Sequence, residues 1–175
     1  MKRNWYAVYT KATLEKKVAA LLTKNKIENL VPLNRIASIQ GAKRKVESEP
    51  LFKCFVFVYI TEGEMATIKR FNYITNFLYW LGEPAIIKEA EIENLKHFTN
   101  EYTDIKLEKI NVSTNGTVRV ISSAKNLKND FIVIQNSVVK LVLPSLGYNL
   151  ISEIANEKIE QLNYNVNSNF LSQAR

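Results

Sequence analysis

The sequence predicts an α+β fold, a sheet with helices packed against it, followed by a smaller β unit. Two runs and one shift carry this reading. Residues 54–60 form an unbroken apolar and aromatic run, the composition of a strand buried on both faces. In residues 4–10, period-two alternation puts Trp5, Ala7 and Tyr9 on one face and Tyr6 and Val8 on the other, and both faces are apolar. Past residue 103 the helical spacing stops, and short β-branched runs recur about every 10–12 residues.

Residues 4–10 form the first strand. Thr13 can cap a helix running to about Lys26, with Leu14, Val18, Leu21 and Leu22 as its buried stripe. Glu15 in its first turn and Lys24 and Lys26 in its last suit the helix dipole. Residues 28–39 read as extended but interrupted at Pro32, which cannot donate to a ladder. The turn 41–45 presents Lys43, Arg44 and Lys45. The 50–60 stretch then reads as the central strand, with Pro50 at its start, Phe52 at a half-exposed lip and Cys54 as a core thiol. A short helix over 62–71 carries Met65, Ile68 and Phe71, and an aromatic strand follows over 73–81, closed by Gly82-Glu83-Pro84. The last helix, 89–102, shows an apolar face of Ile92, Leu95 and Phe98. The organisation predicted is an N-terminal unit over 1–103, a linker over 104–116, a small β-barrel over 117–156 and a polar tail over 157–175. The barrel strands are expected at 118–121, 130–134, 138–143 and 148–154.

Charge is distributed unevenly. The net charge is +7, yet residues 1–60 hold 12 Lys/Arg against 4 Asp/Glu, and the remainder is close to neutral. A basic segment beside a neutral one suits contact with a polyanion, nucleic acid being the commonest. The chain has one cysteine, so no disulfide framework is possible, and a reducing, cytoplasmic setting is expected. No run approaches the roughly 18 apolar residues of a membrane span, so no membrane partner is expected.

Catalytic chemistry is poorly represented. One histidine and one cysteine rule out histidine-cluster and thiolate metal sites, and neither common glycine-rich phosphate loop occurs. His97 reads as an exposed helix residue, and Glu89, Glu91 and Glu93 read as complements to the dipole rather than an acid/base pair. No enzyme, metal or cofactor is expected.

Trp5-Tyr6-Ala7-Val8-Tyr9-Thr10, Glu15-Lys16-Lys17-Val18-Ala19, Val31-Pro32-Leu33, the Lys43-Arg44-Lys45 tip, Glu49-Pro50-Leu51-Phe52 and Phe55-Val56-Phe57-Val58 together resemble the N-terminal domain of the NusG family of transcription elongation factors. The pattern is most similar to the specialised bacterial RfaH-like and UpxY-type antiterminators. Gly116-Thr117-Val118-Arg119-Val120 and Leu146-Gly147-Tyr148 resemble strands of the family's KOW barrel, although residues 122–130 replace its usual glycine-bearing loop. A second departure is Lys53-Cys54, where the family commonly has Pro-Gly or Pro-Asn.

The resemblance implies a monomeric factor that binds the clamp helices of the largest RNA polymerase subunit and suppresses pausing or termination at a subset of operons. The matching positions are Tyr9, Phe52, Leu81, Ile92 and Leu95, with Thr67 on the far side of the cleft. For Ile92 and Leu95, core and interface are equally good readings. Lys11, Lys16, Lys17, Lys43, Arg44 and Lys45 would face the upstream fork and non-template DNA. A ribosomal or termination factor is the partner implied for the C-terminal domain. The competing reading is a free-standing RNA-binding or translation-associated module whose affinity comes from the lysines.

Overall fold

Strand β1, Asn4–Thr10, is the axis of the N-terminal unit in the computed structural model. Residues 2–40, 43–110, 132–135 and 138–153 are described, the side chains of 38–40, 43–44 and 132–135 excepted. β1 is followed by α1 (Glu15–Lys24), β2 (Glu28–Leu30), β3 (Leu33–Gln40), β4 (Lys43–Pro50) and β5 (Phe55–Ile60). A single 3-10 turn leads into α2 (Met65–Lys69), β6 (Ile74–Phe77), β7 (Tyr79–Trp80), β8 (Glu83–Pro84), β9 (Ile86–Ile87) and α3 (Glu89–Glu101). The main sheet is antiparallel with order β2-β5-β1-β6, and β9 also pairs β1. β5 lies alongside β1 from Asn4↔Ile60 to Tyr9↔Phe55, while β6 and β9 share the other edge of β1. The centre is therefore β1, not the 50–60 stretch. Pro50 ends β4, and residues 51–54 turn the chain before β5 begins.

The alternation in β1 works as the sequence predicts. Tyr6 and Val8 pack with Val56, Val58, Ile60 and Phe77 beneath Val18 and Leu22 of α1 and Ile68 of α2. Trp5 and Ala7 pack with Phe57 beneath Ile92, Leu95 and Phe98 of α3. α1 starts later than expected, because Thr13 is left-handed (φ 66°) and Leu14, without a side-chain cap, takes the N-cap position. Burying each large side chain of this kind contributes about 1.5–3 kcal/mol.

Pro32 separates β2 from β3, and the β3–β4 hairpin leaves the main sheet as a two-stranded arm paired from Leu33↔Pro50 to Gln40↔Lys43. Its base is tied to the exit of α3. The buried Asn34 side chain donates to Ile105 O (3.0 Å) and accepts from Ile105 N–H (2.9 Å), as a strand neighbour would. Arg35 donates to the carbonyls of Thr99, Asn100 and Tyr102, capping orphan groups at the end of α3. Tyr102 beside it is buried, and that burial, with the Glu101 carboxylate adding to it, pushes its hydroxyl up to about 12. A raised acid pKa holds its stability contribution below the unfolded value near 10 and loses it as pH climbs toward 12. Stability is expected to fall across that window, and Tyr102→Phe to flatten the fall in urea melts taken at each pH; a profile unchanged by the substitution would refute this.

Cys54 is not a core thiol. It is half-buried with φ 65°, its N–H donates to Glu15 Oε1 (2.6 Å), and its carbonyl accepts from Thr10 N–H (2.8 Å). A left-handed non-glycine residue costs about 1–2 kcal/mol, which explains why glycine or asparagine suits this position. Cys54→Gly is expected to raise stability by up to about 1 kcal/mol, part of the relief being lost to the freer unfolded chain. A lower denaturation midpoint at unchanged slope would contradict it.

Among the described residues the C-terminal unit is a four-stranded sheet, order β10-β13-β12-β11, of β10 (Lys106–Lys109), β11 (Ile132–Gln135), β12 (Val138–Leu143) and β13 (Tyr148–Glu153). The last three match expected strands. β10 comes from within the stretch read as a linker and pairs with β13 from Lys106↔Ile151 to Lys109↔Tyr148. No closed barrel forms among the described residues, and the strand expected at 118–121 and the tail over 157–175 lie outside them. Among the described residues no helix is long and apolar enough to cross a membrane.

Candidate functional site

The C-terminal sheet lies against the α3 side of the main sheet. Val139, Leu141 and Leu143 of β12 and Leu150 of β13 are fully buried in one cluster with Trp5, Leu51, Phe52, Phe57, Ile92 and Leu95. The alternation of β12 aims its odd-numbered residues at this face. A polar contact pins the β12–β13 turn: the buried Glu91 carboxylate accepts the Ser145 hydroxyl (2.7 Å) and its N–H (3.1 Å). Ser152 Oγ donates to Thr103 O (2.8 Å) at the other end. Glu91 sits in the first turn of α3, where the helix dipole favours its charge.

The polymerase-binding positions expected from sequence are thereby divided. Phe52 is 5% exposed, not half-exposed, because Tyr148 stands edge-on over it at 5.7 Å while Phe57 does the same at 5.6 Å from below. Ile92 and Leu95 are fully buried in the same cluster. Tyr9 remains at the rim, half-buried against Phe55 with ring centroids 4.5 Å apart. Leu81 is 91% exposed, and Thr67 is exposed on α2. Leu81 (φ 51°) and Gly82 (φ 87°) are both left-handed, the geometry of a tight two-residue hairpin between β7 and β8. That hairpin also exposes Trp80 (70%), with Tyr79 and Ile86 beside it. The single strand expected over 73–81 is divided into β6 and β7, which puts Trp80 at the hairpin. Its signal is the placement of Trp80-Leu81 against the turn glycine, at the tip of a two-stranded hairpin separate from the main sheet.

The basic residues gather where α1 begins. Lys11, Lys16 and Lys17 are exposed there, and Lys16 Nζ donates to Ser48 O of β4 (2.7 Å), joining this cluster to the base of the arm. Lys17 Nζ stands 4.8 Å over the Tyr73 ring, and Lys69 Nζ reaches Tyr79 Oη (3.1 Å). These cation–aromatic pairs join side chains from different elements, which local patterning does not signal. Lys45 is exposed and bonds Glu47 (2.8 Å), which raises the lysine pKa through that hydrogen bond and the adjacent charge. The side chains of Lys43 and Arg44 lie outside the described residues. His97 is exposed on α3. No cluster of three or more His, Cys, Asp or Glu residues able to hold a metal occurs among the described residues.

The family model described as transcription termination factor NusG matches residues 3–96, from the start of β1 through most of α3. A solved structure titled "Domain interaction in Thermotoga maritima NusG" is similar at 21% identity over 88% of this chain and 94% of that chain, with a TM-score of 0.45. Since the family match spans more than half of the sequence, the chain belongs to the NusG family.

Proposed function

We propose that this protein is a specialised elongation and antitermination factor of the RfaH-like or UpxY type, which binds the RNA polymerase clamp helices and suppresses pausing or termination at a subset of operons. The observation that carries this reading is the apolar set of Phe52, Ile92 and Leu95 in one cluster, with Tyr9 beside Phe52 at a cavity wall and Trp80 and Leu81 exposed on the same N-terminal unit. Such a face offers aromatic anchors of the kind that dominate interfaces. Phe52 lies under Tyr148 of the C-terminal sheet, and Ile92 and Leu95 share one cluster with β12 and β13, so engaging this set requires that sheet to move. Binding is then reduced by the fraction of molecules that are open. Lys11, Lys16 and Lys17, with the Lys43-Arg44-Lys45 tip, would track the upstream fork through phosphate attraction. The factor acts without catalysis, by favouring the closed polymerase.

Titration of core polymerase with wild type and Tyr9→Ala tests this. Tyr9 is the variant of choice because it is half-exposed and its removal leaves the core filled. A loss of about 2 kcal/mol, roughly thirtyfold, is expected for an anchor of this type; equal affinity would remove Tyr9 from the interface. A second reading, a free nucleic-acid-binding module, is favoured by the Lys17–Tyr73 and Lys69–Tyr79 pairs. It predicts tight binding to naked duplex with a salt slope of about −4 to −5 for about five phosphates, unaffected by Tyr9→Ala.

A further inference from the structure

Between the main sheet and the β12–β13 turn lies a cavity of about 180 Å³. Tyr9, Phe52, Phe55 and Leu78 wall it from the N-terminal side, and Leu146 and Tyr148 roof it from the C-terminal side. Among the described residues no charged side chain lines it. Two ring pairs form its walls, Tyr148 with Phe52 (T-shaped) and Tyr9 with Phe55 (tilted), so the walls present aromatic surface to an occupant. An apolar cavity of about 150 Å³ holds a benzene molecule, so this one has room for one ring and a small substituent.

We propose that this cavity binds a free, uncharged, single-ring aromatic molecule that bridges the N-terminal sheet and the C-terminal turn. Charge is excluded because no lining group would compensate its burial. The phenol groups of Tyr9 and Tyr148 are the lining side chains able to orient a polar substituent. Because two of the walls belong to the C-terminal sheet, the site exists only while that sheet is docked. Occupancy therefore stabilises the docked arrangement by mass action. Tyr9 and Phe52 of this site also belong to the polymerase face proposed above; ligand binding itself does not depend on that reading, whereas its consequence for polymerase rests on it.

The test is a titration of the full chain with p-cresol, followed by methyl NMR, with benzoate as a charged ring control. Saturable shifts of the Leu78 and Leu146 methyls are expected with p-cresol and not with benzoate. Leu146→Trp should fill the cavity and abolish the response; if circular dichroism shows that variant unfolded, Leu78→Trp plugs the opposite wall. An absence of saturation, a response that survives the plug, or equal binding of benzoate overturns the proposal. With the site established, p-cresol at about nine times its Kd should weaken polymerase binding about tenfold. Undiminished polymerase affinity at full p-cresol occupancy would count against the covered face as the polymerase surface and leave the ligand site standing.

Discussion

A Leu141→Ala, Leu143→Ala variant is expected to bind core polymerase roughly thirtyfold more tightly than wild type, or better. Both leucines are fully buried in the cluster that holds Phe52, Ile92 and Leu95. Truncating a buried leucine to alanine costs about 2–5 kcal/mol. That loss falls on the docked C-terminal sheet, so the open fraction rises, whether the sheet detaches intact or loosens. Apparent affinity follows the open fraction, and about 2 kcal/mol corresponds to the thirtyfold figure until the open form predominates. Binding of a hydrophobic dye should rise in parallel as Trp5, Phe52 and Ile92 meet water. Unchanged or weaker polymerase binding, with the dye signal raised, would mean that the uncovered face is not the binding surface.

Phe52→Ala is expected to lower stability by about 3–5 kcal/mol, on the order of a 10 °C fall in Tm for a chain of this size. A phenylalanine at a half-exposed lip would lose far less. The difference lies in its partners: Phe57 and Tyr148 both meet the ring edge-on, and truncation leaves a hole that two separate parts of the chain would have to close. Phe52→Leu should recover most of the loss by refilling the volume. A Tm shift of only a few degrees for Phe52→Ala would show that the C-terminal sheet spends much of its time undocked. Because this substitution alters folding and docking together, Tyr9 is the better probe of the interface.

The two-faced character of β1, the Val18 and Leu22 stripe of α1, the Ile92, Leu95 and Phe98 face of α3 and the break at Pro32 were all legible in the sequence. Each rests on a short-range rule: a side-chain period of two or 3.6, or the missing N–H of proline. The basic first third was equally plain from composition, as was the β character of 132–153. What covers a face is not a local property. The same apolar period that marks Ile92 and Leu95 as a binding surface marks them as core, and only tertiary packing, on Trp5 and Phe57 and with β12 and β13 from some 50 residues downstream, distinguishes the two. Tertiary structure also decided the role of Glu15, which the sequence suits to a helix dipole and the fold uses to hold the N–H of a left-handed Cys54. It placed β10 in the C-terminal sheet, because strand pairing joins segments whose order carries no trace of their register. The sequence by itself determined which stretches are apolar; the fold decided which of them the chain covers for itself and which, at Trp80 and Leu81, it leaves exposed.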